Sequence, residues 1–416
     1  MPAIPQADAP YPDLSIHSAH PAPHPAILTI DAHADTPQRF ADEAWSFNDS
    51  LGAGHLNLES ARAGGLSAEF FAIWPEPSEW RGRYAHRTLH LIHAVLEQVR
   101  QNPQLRLCTT AAAIEQSFRD GAFAVLMGIE GGHAIENSLA NLRLYFRLGV
   151  RYMTLTWANS NDWADSSGDL EDPSIPHHGG LSSFGKEVVR EMNRLGMAVD
   201  VSHISDPALD HVLATSTAPV LASHSGARAL TAAPRNLTDA HLLAIANRGG
   251  AVMVNFYPAF IDEVWRSAWN ALAPDRHAAH TALESTYAAR RQPVPYSASL
   301  EVDRAFASRI PRPPLSSLID HIHHIATVAG IDHVGLGSDF DGVSALPAGI
   351  DSATDLPRIP EALSARGYSS FAIGKILGGN LLRVLREVEA TAARMESQTG
   401  STGLKADPEA STRPDL

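Results

Sequence analysis

Residues 26–35 read AILTIDAHAD, and residues 123–131 read FAVLMGIEG. Each is a short apolar run that ends in side chains able to bind a metal, His33 and Asp35 in the first and Glu130 in the second. The pattern returns in MAVDVSH (197–203), which ends in His203, and in PVLASHS (219–225), which carries His224. Runs this short, rich in Val, Ile, Leu and Phe, suit strands and not independent helices. Their recurrence decides the fold. An α/β barrel gathers the C-terminal ends of its parallel strands at one face, so ligands far apart in sequence converge there.

Four further runs, LSAEFFAIW (66–74), YMTLTW (152–157), GAVMVNFY (250–257) and HVGLGSDF (333–340), bring the number of strands to eight, enough to close one barrel. Segments of helical period separate them, for example 86–101, 138–149, 184–196 and 239–249, and several run into a Gly suited to a C-terminal cap. Repeated β-then-α units give a parallel sheet with helices outside. A doubly wound open sheet is the competing topology, but it offers one crevice and does not account for ligands after four different strands. The expectation is a (β/α)8 barrel over about 26–397, with an insertion at about 258–314 between the last two strands. That insertion is either a lid or a peripheral addition. Residues 1–25 and 398–416 read as flexible ends.

Composition narrows the function. The chain has 416 residues, 44% of them apolar, and 32 Lys plus Arg against 46 Asp plus Glu, a formal charge of −14. Nucleic acid and anionic membrane are therefore poor partners. The single cysteine, Cys108, forms no intramolecular disulfide, and no signal-peptide pattern or membrane-length apolar run is evident, which fits a cytoplasmic protein.

Each candidate ligand has a plainer reading alone. His33 and Asp35 form a His-x-Asp pair on one strand face, which Asp31 also shares by spacing. Glu130 would serve in a buried ion pair, and His203 or His224 as a hydrogen-bonded core histidine. Together they supply three imidazoles and two carboxylates at one end of the strands. Such a set suits two zinc ions that share a carboxylate bridge and a nucleophilic hydroxide. Asp339, in GSDFDG, is placed to take the proton of that hydroxide or to hold a cationic group of the substrate. Asp341 is the weaker choice and suits a turn cap.

With these residues in hand, the chain resembles the membrane dipeptidase (renal dipeptidase) family of dizinc metallopeptidases. The matching blocks include DAHADTP, GIEGGHAIENSLANLRLYFRLGVRYMTLT, WADSSG, GGLSSFGKEVVREMNRLGMAVDVSHIS, SHSGAR, PRNLTD, VMVNFY and VGLGSDFDGV, from about residue 30 to 385. The resemblance implies that His33 and Asp35 hold one zinc, that His203 and His224 hold the other, and that Glu130 bridges them. It also implies that Arg235 clamps a dipeptide's terminal carboxylate, that Asp339 serves its amine and the attacking water, and that Tyr257 lines the substrate site. A C-terminal D-residue is tolerated in the family, and homodimers occur. Vertebrate members carry a signal peptide and a lipid-anchor signal, and the expectation here is neither.

One position departs from the family pattern. After TLT the vertebrate enzymes have a histidine that reaches the substrate carbonyl, whereas this chain has Trp157. An indole N–H donates one hydrogen bond but cannot become cationic. Asn159, Asn161, His177 and His178 are near enough in sequence to replace the missing donor. The leading expectation is a zinc dipeptidase. Alternatives are another amidohydrolase-type amide hydrolase and a catalytically weakened dipeptide-binding relative.

Several motifs carry less. GLSSFGK (180–186) has phosphate-loop spacing, but Glu187 stands where Ser or Thr is needed. His86, His90 and His93, and His321, His323 and His324, read as surface residues of helices. His17, His20 and His24 in the N-terminal segment read as adventitious metal binders.

Overall fold

The computed structural model describes residues 27–401 apart from Pro293. Nine parallel strands form one sheet: β1 (Ile30–Ala34), β2 (Ala68–Ile73), β3 (Leu105–Leu107), β4 (Phe123–Glu130), β5 (Val150–Thr154), β6 (Ala198–Asp200), β7 (Leu221–Ser225), β8 (Ala251–Val254) and β9 (Val334–Leu336). Eight of them run in the order β1-β2-β4-β5-β6-β7-β8-β9. A parallel bridge between Ala34 and Phe340 brings the last strand back to the first. Asp339 N donates to His33 O at 3.0 Å and Asp35 N to Phe340 O at 2.8 Å across this seam. The eight ring strands are the eight expected from the sequence, and the architecture is a (β/α)8 barrel.

The ninth strand was not anticipated. β3 pairs with Phe123–Val125 of β4, while β5 pairs with β4 only from Met127 onward. It fills the stretch of β4 that β5 leaves open, and three residues, LRL, are too few for a periodic signal.

Alternate residues of the strands enter two apolar clusters, as the pleat requires. Ile30, Ala68, Phe70, Ala124, Leu126, Tyr152 and Met253 belong to one, joined by Leu381, Leu385 and Val388 of the final helix. Phe71, Ile73, Val125, Ile129, Val199 and Val254 belong to the other, which packs against the surrounding helices. The register of β1 against β2 shifts between Asp31 and Ala34. Ile30 therefore joins the first cluster and Ala34 the second. Two-residue spacing alone put Asp31 on the same face as His33 and Asp35, but this shift separates it from them. Asp31 instead accepts a hydrogen bond from Ser338 N at 2.7 Å.

Helices follow the strands with side-chain caps of the usual kind. Ser182 caps Ser183–Leu195, Ser205 caps Asp206–Thr215 and Thr238 caps Asp239–Asn247. GLSSFGK thus supplies a helix cap, with Gly196 closing the same helix at φ 79°. Residues 258–314 carry four helices, Pro258–Ile261, Glu263–Ala271, Ala273–Ala289 and Tyr296–Ala307. They have an apolar cluster of their own, built on Trp265, Trp269 and Phe306. The final helix, Asn380–Ser401, continues four residues into the stretch expected to be loose. Residues 1–25 and the rest of that tail lie outside the described residues, as do His17, His20 and His24. Among the described residues, no helix is long and apolar enough to cross a membrane.

Candidate metal centre and substrate cavity

The five sequence-predicted ligands meet at one mouth of the barrel. His33 and Asp35 come from the end of β1, Glu130 is the last residue of β4, His203 follows β6 and His224 lies in β7. Glu130 is central: its Oε1 is 2.8 Å from His203 Nε2 and 3.3 Å from His224 Nε2, and its Oε2 is 3.5 Å from His33 Nε2. His33 Nε2 is 3.7 Å from Asp35 Oδ2, and the Nε2 atoms of His203 and His224 are 3.0 Å apart. Donor atoms of His33, Glu130 and His224 lie close enough together to hold one cation, and so do those of His33, Asp35 and Asp339.

Hydrogen bonds behind the cluster fix which ring nitrogens face it. Tyr152 Oη donates to Ala32 O at 3.1 Å, so its oxygen is left to accept from His33 Nδ1 at 2.8 Å. Burial lowers His33, but Tyr152 and Glu130 raise it well above its ordinary value, so the ring carries a proton that a bound cation would replace at Nε2, an atom buried without a hydrogen bond among the described residues. The same hydrogen-bond logic holds for His224. Ser223 Oγ donates to Asp200 Oδ2 at 2.6 Å and accepts from His224 Nδ1 at 2.7 Å. Asp200 takes three more hydrogen bonds, from Thr154 Oγ1 (2.5 Å), Ser223 N (2.8 Å) and Ser202 N (3.0 Å). It ties β5, β6 and β7 together beneath the histidines. Neither Tyr152 nor Asp200 stood out in sequence, because each acts only through contacts that the closed barrel creates.

Electrostatics agree with a cation site. Burial, with help from Arg235, holds His203 down at about 4, and burial together with His33 and Arg235 holds His224 well below its ordinary value. Both imidazoles are therefore neutral at physiological pH, as metal ligands must be. Burial tends to raise Glu130, but the three histidines outweigh it and keep the carboxylate ionised. Asp35 is pushed well up by burial, with Glu130 and Asp339 adding to the shift. Closely packed carboxylates of this kind call for positive charge, supplied by protons or by metal. The donor set of imidazole nitrogen and carboxylate oxygen fits zinc.

Backbone strain marks the same place. His203 and Asp339 have φ of 68° and 63°, sparsely populated values for residues with a side chain. Gly342 cannot carry a side chain: a Cβ there would lie 2.0 Å from Asp35 Oδ2 and 2.5 Å from Asp339 Oδ1. Gly128 is bare for a similar reason, since its Cβ would meet the Tyr152 ring at 2.0 Å.

Asp339 accepts from Asn255 Nδ2 at 2.9 Å and lines the cavity. Asp341 is turned away, accepting from His55 N at 2.6 Å and Thr36 Oγ1 at 2.7 Å. Arg235 is buried, with one hydrogen bond, from Nη1 to Ser225 Oγ at 2.9 Å. Among the described residues, its Nε and Nη2 have no hydrogen-bond partner. Burial lowers this guanidinium to about 10, partly offset by Asp339 and Glu130, so it stays charged and presents a free N–H edge.

A cavity of about 1040 Å³ rises from Asp35, Glu130, His203 and Asp339. Its walls include Trp74, Trp157, Tyr257 and Phe260, and the insertion contributes His280, Tyr296, Leu300 and Asp303. The insertion is thus part of the site. Trp157 lies over the centre, its ring 6.3 Å from that of His203. The residues expected to stand in for the missing family histidine do not reach the cavity. Asn161 is bound to Leu155 O and to the backbone of Trp163 and Ala164, Asn159 donates to Ser160 O, and His177 leans toward Asp165. Of the helix-borne histidines, His90 lines the cavity, and His321 is buried, not on the surface. His321 Nδ1 accepts from Ala227 N at 3.0 Å.

Fold and site together define a metal-dependent hydrolase built on an α/β barrel. The family model described as membrane dipeptidase (Peptidase family M19) matches residues 23–399, and the chain belongs to that family. It is a peptide-bond hydrolase of metallo-dipeptidase type. Dipeptidase verJ of Clonostachys rogersoniana is 35% identical over 396 residues, which cover 91% of this chain and 88% of that protein. Among solved structures, the probable dipeptidase PvdM from Pseudomonas aeruginosa superposes with a TM-score of 0.74 at 28% identity, covering 89% of this chain and 97% of that one. A metallo peptidase from Rhodobacter sphaeroides, liganded with a phosphinate mimic of the dipeptide L-Ala-D-Ala, gives 0.69 at 27% identity, covering 87% and 99%.

Proposed function

We propose that this chain hydrolyses dipeptides, including those with a C-terminal D-residue, at two zinc ions. His33 and Asp35 would hold one ion, His203 and His224 the other, and Glu130 both. The observation that carries this reading is the convergence of three histidine Nε2 atoms on the two oxygens of Glu130. When bound, such ions activate water and polarise a carbonyl.

The protein's own groups do the rest. The free Nε and Nη2 edge of Arg235 suits a planar carboxylate, gripped by two parallel hydrogen bonds. Asp339 offers a carboxylate for the substrate ammonium, or for a proton released from the attacking water. Asn255 holds Asp339 in place from behind. Recognition of both termini limits the substrate to two residues. The insertion and the aromatic walls place apolar surface around these groups, which strengthens each of these interactions. Tolerance of a D-residue draws support from the Rhodobacter sphaeroides protein, whose bound ligand mimics L-Ala-D-Ala.

The test is amino-acid release from L,L- and L,D-dipeptides by the purified, zinc-loaded protein, with a chelator-treated control. Chelator-sensitive release supports the proposal. Dipeptide binding without release would instead favour a binding role, motivated by Trp157.

A further inference from the structure

Trp157 stands where the family resemblance leads us to expect the histidine of the vertebrate enzymes, and the cavity shows what surrounds it. Its ring centroid lies 4.8 Å from that of Trp74, with the planes at 52°. Trp74 in turn meets Tyr296 edge-on at 5.7 Å. The three rings form one continuous aromatic wall, and all three line the cavity over Glu130 and His203. They come from three separate places: Trp74 directly follows β2, Trp157 follows β5, and Tyr296 opens the last helix of the insertion. Rings brought together from distant segments beside a metal cluster, with Trp157 and Tyr296 half-buried against the buried Trp74, make a surface that a flat apolar group can stack on.

The size of the cavity points the same way. Pockets for drug-sized ligands span roughly 300–1,000 Å³, and this one, at about 1040 Å³, lies at the top of that range. A dipeptide of Gly and Ala would leave most of it to water.

Strand order places Trp74, one end of the wall, opposite the loop that carries Arg235. In the ring β1-β2-β4-β5-β6-β7-β8-β9, β2 and β7 stand diametrically opposite. Trp74 follows β2 and Arg235 lies in the loop after β7. With the terminal carboxylate on Arg235, the substrate's other residue extends across the centre toward Trp74.

We propose that Trp74, Trp157 and Tyr296 form a side-chain subsite that selects dipeptides with a large, flat apolar side chain on the N-terminal residue. The proposal rests on the dipeptidase reading above and adds a substrate class to it.

The experiment compares kcat/KM of the zinc-loaded protein for Gly-Ala, Ala-Ala, Leu-Ala, Phe-Ala and Trp-Ala, and for the reversed pairs Ala-Phe and Ala-Trp. The expected result is a preference on the order of tenfold or more for Phe-Ala and Trp-Ala over Gly-Ala, without a matching gain for the reversed pairs. Trp157→Ala should bring that ratio close to one, whereas Trp157→Phe, which keeps a flat ring and loses the indole N–H, should retain most of it. Tyr296→Ala gives a second variant, away from the strand ends, that should lower the same ratio. Equal rates across the panel, preference for the smallest residue, or loss of selectivity in Trp157→Phe as complete as in Trp157→Ala would overturn the subsite and leave the dipeptidase intact. Failure to cleave any member would overturn both.

Discussion

Tyr152 and His33 are joined by a 2.8 Å hydrogen bond whose direction is set by Tyr152's own donation to Ala32 O. One tyrosine hydroxyl therefore decides that Nε2 of His33, and not Nδ1, points into the cluster. Tyr152→Phe keeps the ring that fills the space beside Gly128 and removes this control together with the hydrogen bond to Ala32 O. Groups behind a metal ligand typically contribute 10–100-fold in metal affinity. Zinc affinity, measured by competition with a chromogenic chelator, should fall by about that factor, with little change in the fold. Unchanged affinity would show that packing alone orients the imidazole.

Asp200 accepts four hydrogen bonds from β5, β6 and β7. Asp200→Asn turns one acceptor into a donor aimed at other donors. A buried group left unsatisfied costs about 1–3 kcal/mol, and the histidine on Ser223 loses its anchor as well. Both thermal stability and zinc affinity should drop, the first visible in calorimetry of the metal-free protein.

Gly342 separates two cases that activity alone confuses. The nearest atoms that a methyl group there would press on belong to Asp35 and Asp339. Gly342→Ala should reduce kcat/KM by on the order of 100-fold, the effect of a misplacement near 1 Å. Its melting temperature should change far less. Equal losses would mean that the residue serves packing.

Acid sensitivity follows from two histidines outside the site. His55 and His321 are each held at about 4, chiefly by burial. Their Nδ1 atoms accept backbone N–H groups from Asp341 and Ala227, both at 3.0 Å. The folded values are depressed below the unfolded one, near 6.5, so unfolding takes up protons. The stability these groups contribute is complete above about pH 6.5 and is lost as pH falls through 4. Each proton adds a slope of about 1.4 kcal/mol per pH unit in that window. His321→Gln should remove one proton's share from the metal-free protein's stability profile, and an unaltered slope would contradict the assignment.

The ring strands were legible because each buried strand is a dense apolar run bounded by polar turns, and because metal-binding side chains mark where the runs stop. Boundaries were less so. YMTLTW extends as an apolar run to Trp157, yet the strand ends at Thr154 and the last cross-strand hydrogen bonds are those of Leu155, because the chain then turns to build the mouth. Asp31 could not be told from His33 and Asp35, since a register shift leaves no trace in spacing. Arg235 sits well into the loop after β7, away from the strand end, and was reached only through the family likeness. The Trp74–Trp157–Tyr296 wall was hidden for a related reason. Its members are ordinary aromatics until the closed barrel and the insertion bring them within stacking distance.

The most direct test is a zinc titration of the metal-stripped protein followed by dipeptide hydrolysis, with Glu130→Gln in parallel. The account predicts activity that grows to a plateau at two equivalents of zinc, and a variant that binds zinc weakly and turns over at least 100-fold more slowly. Full activity at one equivalent, or a Glu130→Gln variant that matches the parent, would contradict a centre in which this carboxylate joins two ions.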